Sequence, residues 1–242
     1  MEVGLPSALH PMLEESSKLI DRHLVKKAPA PWKLTGEAVI LGYKFKKSWV
    51  ENSGLLKESM KDKFKGGLGY VILANYSSSP VGPFQEAIFI PGKFRKSKSQ
   101  IITKLITDSE SSAINGQTNW GLPKEIHPMI WQKSRKWDQI SILDQETQIF
   151  SIELEHGGIP IPISTVFLPI QLCQTWNKVK YFSKPMATGW GKFAKIKNLD
   201  LDPRYFPDIR IQKPLFALKV NPFNLELPEA IFKDEVGSKQ MI

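Results

Sequence analysis

The segment 119–128, NWGLPKEIHP, places one lysine in an apolar, turn-rich setting. Lys124 follows Pro123, and Leu122 and Ile126 lie two residues away on either side. A lysine in a loop ordinarily faces solvent, but the rigid proline and the two apolar neighbours could also direct this side chain into an apolar pocket. Burial there would lower the pKa of the ammonium group and make the amine reactive. The segment therefore presents either a surface lysine or a functional amine.

Other candidate motifs lack the spacing that their chemistry requires. The glycine clusters at 66–69 and 189–192 match neither a dinucleotide-binding fingerprint nor a phosphate-binding loop, and we interpret both as turns. Glu153 and Glu155 would share one face of a strand, which fits a catalytic pair but fits a solvent-facing surface better. The histidines have no HExxH spacing and no closely spaced cysteine: His10, His23, His127 and His156. We expect neither a cofactor nor a metal ion.

Composition indicates a globular protein with one sizeable core. The chain has 242 residues, and its formal net charge of +9 is consistent with an anionic partner. No groove-reading motif or basic stripe with stacking aromatics accompanies that charge, so nucleic-acid binding is not expected. The single cysteine, Cys173, excludes an intrachain disulfide, and no run of 18 apolar residues is present. We expect a soluble cytoplasmic protein that does not enter a membrane.

Hydrophobic periodicity separates an N-terminal helix from a strand-rich remainder. Apolar residues at helical spacing predict a helix over 6–24, which the Ala-Pro repeat at 28–31 ends. We therefore expect a helical extension over 1–28 and a single domain over 29–242. Two further helices are predicted, over 53–64 and near 228–232. β-Branched and aromatic runs predict strands at 37–45, 69–76, 85–90, 100–106, 139–143, 147–155, 165–172 and 192–199.

This order of elements indicates an α+β protein that is mainly antiparallel β. Regular alternation of strands and helices is missing, which argues against a doubly wound parallel sheet. We expect a large antiparallel sheet or barrel with a few peripheral helices. Lys124 would follow a strand that carries Asp108 and Glu110, through a turn-rich segment over 115–121.

Two segments of the chain together resemble the acetoacetate decarboxylase superfamily. The first is SPVGPFQE at 79–86, and the second is NGQTNWGLPKE at 115–125. Members of this superfamily carry a Val-Gly-Pro-aromatic-x-Glu segment and, a few tens of residues later, a Gly-[Arg/Gln]-x-x-Trp-Gly-x-Pro-Lys segment. Both occur here in that order and at that separation, so the pair is far more specific than either piece. The resemblance extends over about 31–225.

The resemblance implies a fold, a reaction type and a set of site residues. It implies a large β-cone or barrel, an oligomeric assembly of identical chains and a small-molecule carbonyl or keto-acid substrate without a cofactor. It assigns the Schiff-base role to Lys124 and an acid/base or orienting role to Glu86. Apart from the resemblance, their closeness in sequence to Lys124 or Glu86 makes Phe84, Gln117 and Trp120 candidate substrate contacts, and an apolar wall such as Trp120 would lower the pKa of the amine. Trp120 and Phe84 fit the hydrophobic core equally well.

The sequence departs from the decarboxylase pattern at three places. Glu125 stands where the decarboxylases have a second lysine, so the adjacent cation that lowers the pKa of the amine in acetoacetate decarboxylase is missing. A carboxylate beside the amine would raise that pKa, and on this analogy Glu125→Lys would restore the cation. A second family carboxylate falls on Val71, and the substrate-binding arginine falls near Gly36 or Glu37.

Decarboxylation of acetoacetate itself stays open, but these departures favour two other functional hypotheses. The first is a Schiff-base carbon–carbon lyase, or a related enzyme, that acts on a keto acid or carbonyl compound other than acetoacetate. The second is a non-catalytic ligand-binding or structural module that retains Lys124 and Glu86 as a buried ion pair.

Overall fold

The computed structural model describes residues 25–94, 99–167 and 169–234. The helix predicted over 6–24 lies outside these ranges, as does most of the extension over 1–28. Within them the chain forms the following strands and α-helices: β1 (Trp32–Tyr43), α1 (Lys47–Ser53), β2 (Phe64–Gly66), β3 (Gly69–Ser78), β4 (Phe84–Ile90), β5 (Lys93–Phe94), β6 (Ser99–Gln100), β7 (Lys104–Thr107), α2 (Glu110–Trp120), β8 (Lys124–Ile126), β9 (Met129–Lys133), β10 (Trp137–Asp144), β11 (Thr147–Ser164), β12 (Leu172–Trp176), β13 (Val179–Ser183), β14 (Met186–Leu201), β15 (Phe216–Leu227) and β16 (Ile231–Asp234).

Ten of these strands form one curled sheet, in the order β8-β7-β4-β3-β1-β15-β14-β11-β10-β9. Neighbouring strands are antiparallel except β7 and β8, which run parallel. A smaller sheet has the order β16-β13-β12-β6-β5-β2. The prediction of a mainly antiparallel α+β fold with a large curled sheet is confirmed.

The large sheet separates two apolar compartments because successive side chains of a strand point to opposite faces. On β1, Val39 and Leu41 belong to a core enclosed by the curl of the sheet. Ala38 and Ile40 belong to a second cluster on the other face, where α2 and the smaller sheet contribute Trp120 and Leu172. Burial of each large apolar side chain stabilises the fold by about 1.5–3 kcal/mol. The candidate site lies in the second compartment.

Several predicted element boundaries were wrong. The helix expected over 53–64 is replaced by α1, which ends at Ser53, and by a short 3-10 turn at Glu58–Met60. Leu55 and Asp62 have φ values of 53° and 63°, which a continuous right-handed helix does not allow. The helix expected near 228–232 is strand β16, because pairing with β13 overrides its local propensity.

Two predicted strands were also placed incorrectly. The strand expected over 100–106 is divided into β6 and β7, which belong to different sheets. Residues 165–167 form a turn, and β12 begins at Leu172, so the strand expected over 165–172 is not present.

Helix α2 was missed in the sequence. Its residues, ESSAINGQTNW, form no apolar stripe, and several of those that it buries are small or polar. The end signals are nevertheless present. Ser109 accepts a hydrogen bond from the backbone N–H of Ser112 at 3.2 Å, and Gly121 ends the helix with a φ of 63°. Ser-x-x-Ser followed by a glycine after the last turn is the pattern that predicts this helix.

Candidate active site

Lys124 and Glu86 are in direct contact. Strand β7 lies between the strands that carry them, with Leu105 paired to Lys124 and Thr107 paired to Glu86. The amine of Lys124 donates a hydrogen bond to Oε1 of Glu86. Their side chains are 3% and 7% exposed, so the pair is almost fully withdrawn from water. An isolated buried ammonium or carboxylate would be strongly destabilised, and each group here compensates the other.

Helix α2 supplies a second partner for the amine. Nζ of Lys124 donates to Oγ of Ser112 at 2.6 Å, and Ser112 is fully buried. Gly116 lies one turn further along the helix, on the same side. A Cβ at Gly116 would lie 2.6 Å from Cε and 3.1 Å from Nζ of Lys124. The side chain of Lys124 therefore fits against the helix because Gly116 has no side chain. Ser112 and Gly116 were missed because α2 was not predicted.

Phe84 and Tyr76 form an aromatic wall beside this pair. Nζ of Lys124 lies 5.2 Å from the centroid of the Phe84 ring, within the range of a cation–π contact. The Phe84 and Tyr76 rings are 4.9 Å apart. Burial, with a smaller contribution from the charge of Glu86, raises the pKa of Tyr76 well above its ordinary value. The phenol of Tyr76 therefore stays neutral beside the carboxylate.

Trp120 and Gln117 occupy different environments on α2. The Trp120 ring is buried, stands edge-on to Trp32 at 5.2 Å, and donates from Nε1 to the carbonyl of Pro228 at 2.7 Å. Its ring also forms part of the wall of a cavity beside the pair. Gln117 is half-buried and lies outside that wall. The structure thus places Glu86 and Phe84 beside the Lys124 amine, and Glu86 and Trp120 in one cavity wall, which Lys124, Phe84 and Gln117 do not line.

The cavity has a volume of about 220 Å³ and is almost entirely apolar. Among the described residues in its wall, Glu86 is the one with a charged side chain. Lys124 is not among the residues that line the cavity, but its amine contacts that carboxylate. Much of the wall consists of aliphatic and aromatic side chains, among them Ile40, Tyr70, Ile72, Ile88, Leu122 and Leu218.

Glu125 does not contribute to the site. Adjacent residues of a strand point to opposite faces, and Glu125 forms an ion pair with Lys104 on the far side of β8. Its side chain is 52% exposed, whereas Lys104 is buried. The expectation that this carboxylate lies beside the amine was therefore wrong. Ile126, expected to flank the lysine within a pocket, is half exposed.

The other two departures from the decarboxylase pattern also lie on the opposite face of the sheet. Val71 is fully buried in the core enclosed by the curl. Glu37 forms ion pairs with Lys133 and Lys219 on the same face of the sheet as Val71. Both positions therefore face away from Lys124, whose amine contacts the Glu86 carboxylate and the Ser112 hydroxyl.

Residues 25–94, 99–167 and 169–234 contain no group of three or more His, Cys, Asp or Glu side chains arranged to hold a metal ion. None of their helices has the length and apolar content that crossing a bilayer requires.

Comparison with known proteins gives a match in structure but not in sequence. No family model matches the chain, and no curated protein matches it. The acetoacetate decarboxylase of Legionella pneumophila subsp. pneumophila str. Philadelphia 1 is similar with a TM-score of 0.67 at 14% identity, covering 90% of this chain and 97% of that one. An acetoacetate decarboxylase-like enzyme from Sphingomonas wittichii RW1 is similar with a TM-score of 0.57 at 12% identity, covering 86% and 94%.

A third structure, the enduracididine biosynthesis enzyme MppR complexed with pyruvate, has a TM-score of 0.55 at 11% identity and covers 86% of this chain and 91% of that one. These identities are low, but the coverage is nearly complete in every case. The resemblance indicated by the two motifs is thus confirmed at the level of architecture: the chain has the fold of acetoacetate decarboxylase and of the enzymes similar to it.

Proposed function

We propose that the protein is a Schiff-base enzyme, a carbon–carbon lyase or a close relative of one, that acts on a keto acid or carbonyl compound other than acetoacetate. The observation that supports this most is the buried contact between the Lys124 amine and Glu86 at the wall of an apolar cavity. The structure of MppR with pyruvate adds that a protein of this fold accommodates a small keto acid.

The proposed reaction begins with a proton transfer from the Lys124 ammonium group to Glu86. The neutral amine attacks the carbonyl carbon of the substrate, and the resulting carbinolamine loses water with a proton returned by Glu86. The protonated imine then accepts the electron pair of the bond between the α-carbon and the next carbon of the substrate. That next carbon leaves as carbon dioxide, or in an aldol cleavage as a carbonyl compound whose hydroxyl proton passes to Glu86. The enamine left behind is protonated at carbon, and hydrolysis releases the carbonyl product and the free lysine.

Each neighbour of the amine has a part in this sequence. Ser112 holds Nζ at 2.6 Å and limits its rotation. The face of Phe84, 5.2 Å from Nζ, stabilises positive charge on the nitrogen, which the protonated imine carries. Glu86 is close enough to accept and return the proton without a relay.

The cavity favours a substrate with an apolar body. Its wall offers no cation, among the described residues, to bind a substrate carboxylate. Binding free energy would come instead from aliphatic surface, at about 25 cal/mol per Å² buried. A longer-chain ketone, aldehyde or β-keto acid therefore fits this wall better than acetoacetate does.

Borohydride trapping tests the proposal. The protein is incubated with acetoacetate, pyruvate, 3-oxooctanoate or 2-octanone and reduced, and the modified residue is located by mass spectrometry. We expect a stable adduct on Lys124, most abundant with the eight-carbon compounds, and none in Lys124→Ala. Lys104→Ala is the matched control, because Lys104 is a buried lysine on the neighbouring strand that faces away from the cavity; its adduct yield should equal that of the wild type.

Two outcomes separate the hypotheses. If folded protein binds 2-octanone but yields no adduct with any compound, the non-catalytic ligand-binding module replaces the enzyme. If acetoacetate is trapped efficiently and the eight-carbon compounds are not, the Schiff-base function stands and the preference for an apolar substrate is wrong.

A further inference from the structure

A second cavity, of about 710 Å³, lies on the opposite face of the large sheet. Ile40 and Leu218 pair across β1 and β15 and line the first cavity, whereas their chain neighbours Val39 and Lys219 pair on the other face. Lys219 lines the second cavity, and no residue belongs to both walls. The thickness of the sheet therefore separates the two cavities.

The floor of the second cavity is a buried ion network centred on Lys219. Its Nζ lies 2.7 Å from Oδ1 of Asp138 and 3.0 Å from Oε2 of Glu37, and its side chain is 7% exposed. Lys133 approaches Glu37 at 2.7 Å from the other side. Burial opposes ionisation of Glu37, but the hydrogen bonds from Lys133 and Lys219 hold its pKa below the ordinary value. Both carboxylates of the floor are thus already neutralised by lysines of the protein.

His156 forms part of the same wall and has an incomplete set of partners. Its side chain is 10% exposed, and Nε2 lies 3.0 Å from Oδ2 of Asp138. His156 therefore belongs to the same network through Asp138. The other ring nitrogen, Nδ1, has no hydrogen-bond partner within the described part of the chain.

The rim of the cavity carries cations that the network does not use. Arg135 and Lys192 line it and form no ion pair with any described residue. With Lys133 and Lys219, they make four cationic residues against two carboxylates in the whole wall. Trp190 lines the same cavity and is 53% exposed, so part of its side chain is accessible to a ligand.

From this arrangement we propose that the second cavity binds a small organic anion, with its carboxylate or phosphate group held by Arg135 and Lys192 and its body against Trp190. Guanidinium and ammonium groups form charge-assisted hydrogen bonds with either anion. The two floor carboxylates do not repel the ligand, because Lys133 and Lys219 neutralise them. This site is independent of the Schiff-base function proposed for Lys124.

Calorimetric titration at low ionic strength tests this proposal, with inorganic phosphate, phenyl phosphate and benzoate as probes on the full chain. We expect saturable binding of at least one aromatic anion; the ratio of phenyl phosphate to benzoate affinity then identifies the preferred anionic group. Replacing Arg135 and Lys192 together with glutamine should weaken binding roughly tenfold or more, because two charge-assisted hydrogen bonds are lost. Trp190→Ala should weaken the aromatic anions and leave inorganic phosphate unaffected.

Lys195→Gln is the matched control. Lys195 is an exposed lysine on the same strand as Lys192, but three residues further on and therefore directed to the other face. This variant should leave affinity unchanged. Absence of saturable binding to any probe would overturn the proposal. An equal loss in the Lys195 variant would overturn it too, because that result would show attraction by net charge alone.

Discussion

Replacing Gly116 with alanine tests whether the side chain of Lys124 crosses helix α2 at this glycine. Gly116 has a right-handed helical backbone, so alanine is compatible with its conformation. At an open helical position this change stabilises a protein by about 0.5–1 kcal/mol. Here the new Cβ would lie 2.6 Å from Cε of Lys124 and 3.1 Å from Nζ. Overpacking of this kind costs about 1–3 kcal/mol, so we expect a net loss of up to about 2 kcal/mol.

The same displacement should impair imine formation. Cε carries the amine, and its movement draws Nζ away from Glu86 and from the Ser112 hydroxyl. A shift of about 1 Å at a reacting atom can cost about 100-fold in rate. The assays are urea unfolding for stability and the time course of borohydride-trapped adduct for reactivity. Thr118→Ala, on the exposed side of the same helix, is the control and should change the adduct rate little.

A double-mutant cycle makes this prediction decisive. In a Lys124→Ala background the obstructing side chain is absent, so Gly116→Ala should become stabilising by about 0.5–1 kcal/mol. The sign of the stability change should therefore reverse between the two backgrounds. If Gly116→Ala also stabilises the wild-type chain and leaves its adduct rate unchanged, the side chain of Lys124 does not pack against Gly116.

Three further predictions concern the carboxylates and the buried phenol. Glu86→Gln should slow adduct formation on Lys124 by about 10²–10⁴-fold, because the proton acceptor is lost; an unchanged trapping rate would remove Glu86 from the mechanism. Because folding raises the pKa of Tyr76, the neutral phenol stabilises the fold fully below the unfolded pKa of about 10, and this stabilisation is lost as pH rises further. Tyr76→Phe should therefore flatten the fall of the urea midpoint at alkaline pH. The lowered pKa of Glu37 means that its contribution is complete above its unfolded pKa of about 4.5 and is lost as pH falls through the folded value. Glu37→Gln should therefore flatten the acid limb of the same profile, and an unaltered limb would show that Glu37 does not contribute to it.

The paired motifs allowed more of the site to be predicted than local pattern alone could. Lys124 and Glu86 were expected together from the order and separation of two short segments, and the structure places them in contact. Their catalytic roles are proposals that the trapping experiment tests. The long strands were also predictable, because β-branched and aromatic residues are concentrated in β3 and β4.

What the sequence did not reveal follows from the character of α2. Ser112 and Gly116 touch the lysine because a helix brings residues four apart to one side, but the helix buries small and polar residues and so lacks an apolar period. The second cavity was equally hidden. Glu37, Asp138, His156 and Lys219 come from four strands, and strand order in the sheet is not readable from any local pattern.

The ion pair between Lys104 and Glu125 changes how the departure from the decarboxylase sequence should be understood. Glu125→Lys would recreate the family's consecutive lysines, but the new cation would stand beside Lys104 on the far face of β8. The substitution would then set two ammonium groups against each other without placing charge near Lys124. Insertion or deletion of a single residue just before β8 would have a larger effect, since a one-residue slip exchanges the two faces of a strand and brings glutamate to the cavity in place of lysine. Which residue of β8 faces Glu86 therefore depends on whether the loop before β8 has an odd or even number of residues, as much as on the residue types within the strand.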